Sequence, residues 1–290
     1  MAGATRKWLI GCGSGCGLVV LILVFLGFGA VRIFTSTVER IDRFEASQDR
    51  LETRLGAIED YVPPRDGVVP DDRVAIFLEV REETAPSREM LERTIGGLPP
   101  ARGRIVGPVR GFRYLRAFAR FLPAMGEYLD ERNQVLLDRG MGLGEYVFIH
   151  TLAYHWWLGH SPLDGPESVL GTSGDRGAST GLVLFDDESD LGERKAAARY
   201  GRLVRTLLRN WLEALPEEAG RQGEAGWRDR LTRELAALEA DPDRTPWDGD
   251  PPAAMTRTLE PYRERLEASY GPVTNRLDLL VSGSAIRDWE

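Results

Sequence analysis

Residues Trp8 to Val31, WLIGCGSGCGLVVLILVFLGFGAV, form a long apolar run that contains no charged side chain. A polypeptide must satisfy its own backbone polar groups inside a bilayer, and one uninterrupted helix does so. At about 1.5 Å per residue, roughly 24 residues rise about 36 Å, enough for a hydrocarbon layer of about 30 Å. The run therefore predicts a single N-terminal transmembrane helix, and it makes everything after Phe34 a domain tied to a membrane.

Two competing readings of the run fit less well. A cleaved secretory signal needs a shorter apolar core, of about 7 to 15 residues, and small residues just before the cut. Here the best such site, Gly27-Phe28-Gly29, still lies within the apolar run. Leu9-Ile10-Gly11-Cys12 resembles a lipobox, yet the apolar residues follow Cys12 instead of preceding it. Arg6 and Lys7 precede the span, whereas Arg32, Arg40, Arg43 and Arg50 follow it. A short basic tail before a first span stays in the cytoplasm, and long following domains translocate largely regardless of charge. The expected topology is N-terminus inside and domain outside, as a single-pass protein of a bacterial inner membrane facing the periplasm or exterior. The bacterial source is inferred from base composition. Of 37 basic residues only Lys7 and Lys195 are lysine, a skew that fits a GC-rich genome.

Both cysteines, Cys12 and Cys16, fall in the span, which leaves the domain without a disulfide or a cysteine-based zinc site. Gly11 with Gly15 and Gly13 with Gly17 are spaced so that two such helices can approach closely. A homodimer through Gly13, Gly17 and the following stalk is the partner this spacing implies.

Beyond the span, periodicity predicts an all-α protein: tail and anchor at 1–34, a helical stalk at 35–60, a proline-rich hinge at 61–70, and a multi-helix bundle at 71–290. In the stalk, Ile41, Phe44, Leu51, Leu55 and Ile58 occupy heptad positions. Fewer than four heptads are short for a coiled coil, so pairing with a second copy and packing on its own domain are both open. Asp71 or Asp72 is the expected cap of the next helix, with Pro86 as its interruption. Phe112, Leu115, Phe118, Leu122, Met125, Leu129 and Leu136 predict a long amphipathic helix over about 109–137, kinked near Pro123 and Gly126.

Leu143 to Leu158, LGEYVFIHTLAYHWWL, is apolar nearly all round and reads as the central helix of the bundle. A long irregular loop at 160–190 joins the parts 71–159 and 191–290. Tyr200, Leu203, Val204, Leu207, Leu208, Trp211 and Leu215 define the next helical face, and Trp227, Leu231, Leu235 and Leu238 another. A last helix is expected over 253–270, followed by an irregular tail.

The chemistry-bearing residues form no recognisable catalytic motif. His150, His155 and His160 recur every five residues, which on an α-helix advances the direction by about 140° and separates the rings. Zinc sites of the HExxH type need a spacing of four, so no metal or cofactor is expected. Gly171 to Gly181 has the glycine density of a phosphate loop without its lysine, and Asp241, Asp243, Asp248 and Asp250 fail the calcium-loop rule at its glycine position. The alternative to a binding or scaffold module is a membrane-tethered hydrolase or ligand-binding protein, with a pocket walled by Tyr146, Tyr154, Trp156 and Trp157 and with Glu145 and His150 as acid or base.

The stronger signal is charge. The chain carries a formal net charge of -8, yet no acidic residue falls between Glu92 and Glu127. Arg110, Arg113, Arg116 and Arg120 share one face there, opposite the apolar one. Lys195, Arg199, Arg202, Arg205 and Arg209 repeat the arrangement on the helix that follows the long loop. The site residues expected to bind are therefore Arg110, Arg113, Arg116, Arg120, Arg199, Arg202 and Arg209, facing anionic lipid headgroups or an acidic protein. An exported domain would rarely meet nucleic acid.

Overall fold

A computed structural model describes residues 43–97, 108–165, 189–216, 225–242 and 244–279. The expected span at 8–31, with Gly13 and Gly17, and the glycine-rich segment 171–181 lie outside the described residues. Among the described residues there is no strand, and no helix is long and apolar enough to cross a membrane.

The helices are α1 (residues 43–55), α2 (Asp71–Glu83), α3 (Ala85–Gly96), α4 (Pro108–Arg139), α5 (Leu143–His150), α6 (Ser189–Ala214), α7 (Ala225–Ala240), α8 (Ala253–Thr256), α9 (Arg263–Ser269) and α10 (Asn275–Leu279). Helix α5 runs on directly into a π-helical stretch, Thr151–Trp157. Tyr146 through Ile149, Leu152 to Tyr154 and Trp156 are all buried. This is the central rod. Around it, α3 packs on α4, α2 on α4 and α9, and α6 on α7, and the π stretch meets α8, α9 and the turn Pro246–Gly249.

The helix boundaries follow local chemistry, with three departures from expectation. First, neither Asp71 nor Asp72 caps α2. Pro70 occupies that position, its carbonyl accepting the Arg73 and Val74 amides at 3.0 and 3.1 Å, while the two carboxylates lie in the first turn near the positive helix end. Second, the helix expected over 253–270 is broken into α8, a 3-10 turn at Glu260–Tyr262, and α9. Pro261 lacks the amide hydrogen that a continuous helix needs. Third, the tail expected to be irregular contains α10. Pro86 separates α2 from α3 by standing in the first turn of the latter, whereas Pro123 is absorbed inside an unbroken α4.

Of the two dispositions open to the stalk, the described part packs on its own domain. Phe44, Ser47, Gln48, Leu51 and Ile58 are buried, and Asn133 of α4 donates to the Ser47 hydroxyl at 3.4 Å. The proline-rich segment 61–70, read as a hinge, is fastened to α6. The Asn210 amide donates to the Tyr61 carbonyl at 3.1 Å, and the Trp211 indole to the Arg65 carbonyl at 3.4 Å. Gly67 has φ +71, and a Cβ there would lie 2.7 Å from the Trp227 ring and 3.0 Å from that of Trp211. Only glycine fits both the left-handed backbone and the close approach. Those rings, 4.8 Å apart between centroids, form an apolar layer under α6 and α7.

Candidate functional site

Several fully enclosed polar side chains converge on Asp278, in the short helix α10. Its Oδ2 accepts Arg81 Nη1 at 2.7 Å, and its Oδ1 accepts the hydroxyls of Tyr128 at 2.5 Å and Tyr146 at 3.3 Å. Arg132 Nη1 and His150 Nε2 each stand 3.8 Å from the carboxylate. Arg81, Arg132, Tyr128, His150 and Asp278 all have 0% of their surface exposed. Four elements, α2, α4, α5 and α10, thus each deliver charge or hydroxyl to one point.

Burial of so much polarity is tolerable only where partners replace water. Arg81 is the best satisfied. Nη1 also donates to the Tyr146 hydroxyl at 3.0 Å, Nη2 donates to the Ser269 carbonyl at 2.7 Å, and the guanidinium lies 5.6 Å from the Tyr154 ring centroid. Burial on its own would lower its pKa, but the facing Tyr146 and Asp278 oxygens hold it well above the usual value. For Asp278, burial pushes upward, and the Arg81 and Arg132 charges with the Tyr128 hydrogen bond outweigh it, leaving a pKa of about 2. Burial drives His150 well below its ordinary pKa, so it is neutral beside an ionised carboxylate. Arg132 is less complete. Nη2 donates to Asn133 Oδ1 at 3.1 Å, while Nε and Nη1 have no hydrogen-bond acceptor among the described residues.

The two residues of the enzyme reading are not brought together. Glu145 points to the rim, where it takes a bidentate pair from Arg73, Nε to Oε1 at 2.7 Å and Nη2 to Oε2 at 2.5 Å. His150, five residues on, points inward to Asp278. Tyr146, Tyr154 and Trp156 are core side chains, the last donating its indole N–H to the Tyr200 hydroxyl at 3.1 Å.

The expected separation of the histidine rings is corrected by the π-helical stretch, whose wider turn places residues five apart over one another. The His150 and His155 centroids are 5.4 Å apart. His155 Nδ1 lies 3.0 Å from the His160 carbonyl, which can only accept, so the proton sits on Nδ1. Burial lowers the His155 pKa to about 4. His160 itself stacks on Tyr270, centroids 3.9 Å apart and planes within 8°. Among the described residues no three His, Cys, Asp or Glu side chains are grouped to hold a metal ion.

The basic stripes are only partly within view. Arg120, Arg202 and Arg209 are exposed, whereas the side chains of Arg110, Arg113, Arg116 and Lys195 lie outside the described residues. Arg199 is partly buried, and burial with the neighbouring Arg202 charge lowers its pKa.

Asp278, Arg81, Arg132 and Tyr128 were not among the sequence candidates. A signal existed for two of them. Arg81 follows Val74, Phe77 and Leu78 on the apolar face of α2, and Arg132 falls between Leu129 and Leu136 on that of α4. An arginine in core register asks for a buried acid. No family model matches the chain, and neither a curated protein nor a solved structure matches it. Fold and centre define an all-helical domain built around a sealed arginine, tyrosine and aspartate network.

Proposed function

We propose that this chain is a membrane-anchored helical binding module of the bacterial envelope, inserted through residues 8–31 with its domain outside the cytoplasm, which engages anionic headgroups through the arginines of α4 and α6. The observation that carries the reading is the charge-free run Trp8 to Val31 ahead of a helical domain whose exposed arginines include Arg120, Arg202 and Arg209. Attraction to an anionic leaflet is worth about 1 kcal/mol per basic residue near the surface. The separation of Glu145 from His150 weighs against the enzyme reading, because a general acid or base must reach both substrate and proton.

Two experiments test it. The full-length chain is fractionated in a bacterial host carrying a C-terminal reporter active only outside the cytoplasm. Recovery in membranes with reporter activity is expected; an intact chain in the high-speed supernatant removes the anchor, and a silent reporter reverses the topology. For the surface, a fragment of residues 35–290 is floated with vesicles. It must begin ahead of Phe44, whose burial makes α1 part of the fold. Salt-sensitive binding that requires anionic lipid is expected. Indifference to lipid charge discards the headgroup proposal and leaves an acidic protein as the partner to seek.

A further inference from the structure

The centre around Asp278 offers more donors than Asp278 uses. Arg81 Nε, Arg132 Nε and Nη1, and the single N–H of the neutral His150 ring are buried without a hydrogen-bond partner among the described residues. Two guanidiniums face one carboxylate, and the 3.8 Å separations from Arg132 and His150 are too long for hydrogen bonds. A purely structural ion pair gains nothing from surplus buried donors, since each orphan carries its full desolvation cost. A receptor for a ligand with more oxygens than Asp278 can present would carry such a surplus.

The element that supplies Asp278 is also short. Helix α10 has five residues and follows the turn 271–274. It is held from its other side by a clasp on the loop 161–165. Asn275 Nδ2 lies 3.2 to 3.3 Å from the carbonyls of Ser161, Pro162 and Asp164, Arg276 Nε donates to the Leu163 carbonyl at 2.8 Å, and the Tyr270 hydroxyl donates to Asp164 at 2.9 Å. One short clip thus closes the loop with Asn275 and Arg276 and fills the receptor with Asp278, less than one helical turn away.

We propose that Arg81, Arg132, Tyr128 and Tyr146 form a binding site for a small carboxylate-bearing ligand, which Asp278 occupies as an intramolecular stand-in while the α10 clip is shut. Ligand and clip then compete for the same guanidiniums, and binding at the centre is read out as release of the loop at 161–165. This inference does not depend on the membrane reading, and its test does not use lipid.

The test uses the full-length chain in detergent and sodium formate as the probe, with sodium chloride at equal ionic strength as the reference. Removing the stand-in in Asp278→Ala should lower Tm, and formate should restore it saturably, with no restoration in Asp278→Ala combined with Arg132→Met. At the formate concentration that restores the variant, amide exchange of residues 270–279 in the unmodified chain should rise severalfold, with that of α7 unchanged. Absence of restoration, or restoration equalled by chloride, overturns the site. Restoration with unchanged exchange in the unmodified chain overturns the competition and leaves Asp278 as a fixed structural group. If Asp278→Ala does not fold, the exchange measurement is taken on the unmodified chain and on Asn275→Ala, which loosens the clasp. Formate-dependent exchange, larger in Asn275→Ala, supports the proposal, and exchange indifferent to formate in both refutes it.

Discussion

Two of the ion pairs that join α2 to other elements, Arg81 with Asp278 and Arg73 with Glu145, sit in opposite surroundings. Arg81 and Asp278 meet at 2.7 Å with both side chains fully enclosed, whereas Arg73 and Glu145 meet at 2.5 Å with exposures of 20% and 18%. The rim pair has the more regular geometry, bidentate and short. Nevertheless the enclosed pair should matter more, because losing one partner there strands a charge without water, while at the rim water takes the vacant place. Proximity to solvent, not hydrogen-bond count, decides what each pair contributes.

The largest effect is expected from Asp278→Ala, which leaves Arg81 and Arg132 uncompensated and should cost about 3–5 kcal/mol of unfolding free energy in denaturant titration. A loss under 1 kcal/mol would mean that the centre is wetter than its enclosure implies. Next comes Gly67→Ala, which forces a left-handed backbone on alanine and drives its Cβ into Trp227 and Trp211. About 2–4 kcal/mol should go, with a change in tryptophan fluorescence. This variant asks whether the apolar tryptophan layer is as unforgiving as the polar centre.

Acid should weaken the domain in two steps, both from the enclosed region. Burial depresses His150 and His155, the latter to about 4, so below pH 6.5 the unfolded chain takes up protons that the folded chain refuses. Stability therefore falls as pH drops from about 6.5 towards 4, by on the order of 2–3 kcal/mol for His155. Asp278, depressed to about 2 from 3.8, stabilises the fold above its unfolded value, and that contribution is lost as pH falls through about 4 to 2. Thermal unfolding across pH 4 to 8 checks the first step, and His155→Gln should shrink it. At the rim, Glu145→Gln should cost no more than about 1 kcal/mol, with its effect blunted by salt.

How much of this was legible in the sequence depends on the period of the pattern. The central rod 143–158, the α6 face from Tyr200 to Leu215 and the α7 face from Trp227 to Leu238 follow from apolar spacing, and they are buried except for Glu145, Trp157, Leu158, Tyr200 and Leu203, which are partly buried. The π-helical turn was not legible, because an α-helical wheel separates His150 from His155 by construction. Nor was the clip, since α10 is too short to show a period and its role comes from contacts with residues more than a hundred positions away. Arg81 and Arg132 could have been noticed as arginines in core register, but their acid partner could not be named from spacing.

The smallest stability effects belong to the surface. Arg120→Gln, Arg202→Gln and Arg209→Gln should each shift unfolding by less than about 0.5 kcal/mol. Together they should weaken attachment to anionic vesicles. A large stability loss from any of them would move that side chain from the surface account into the core account.

The most direct test of the contrast between the pairs is a double-mutant cycle on each in the same full-length protein. Arg81→Met with Asp278→Asn should give a coupling of about 2 kcal/mol or more, against about 1 kcal/mol or less for Arg73→Gln with Glu145→Gln. Equal couplings, or a larger one at the rim, would contradict the conclusion that the domain is organised around its enclosed arginine and aspartate.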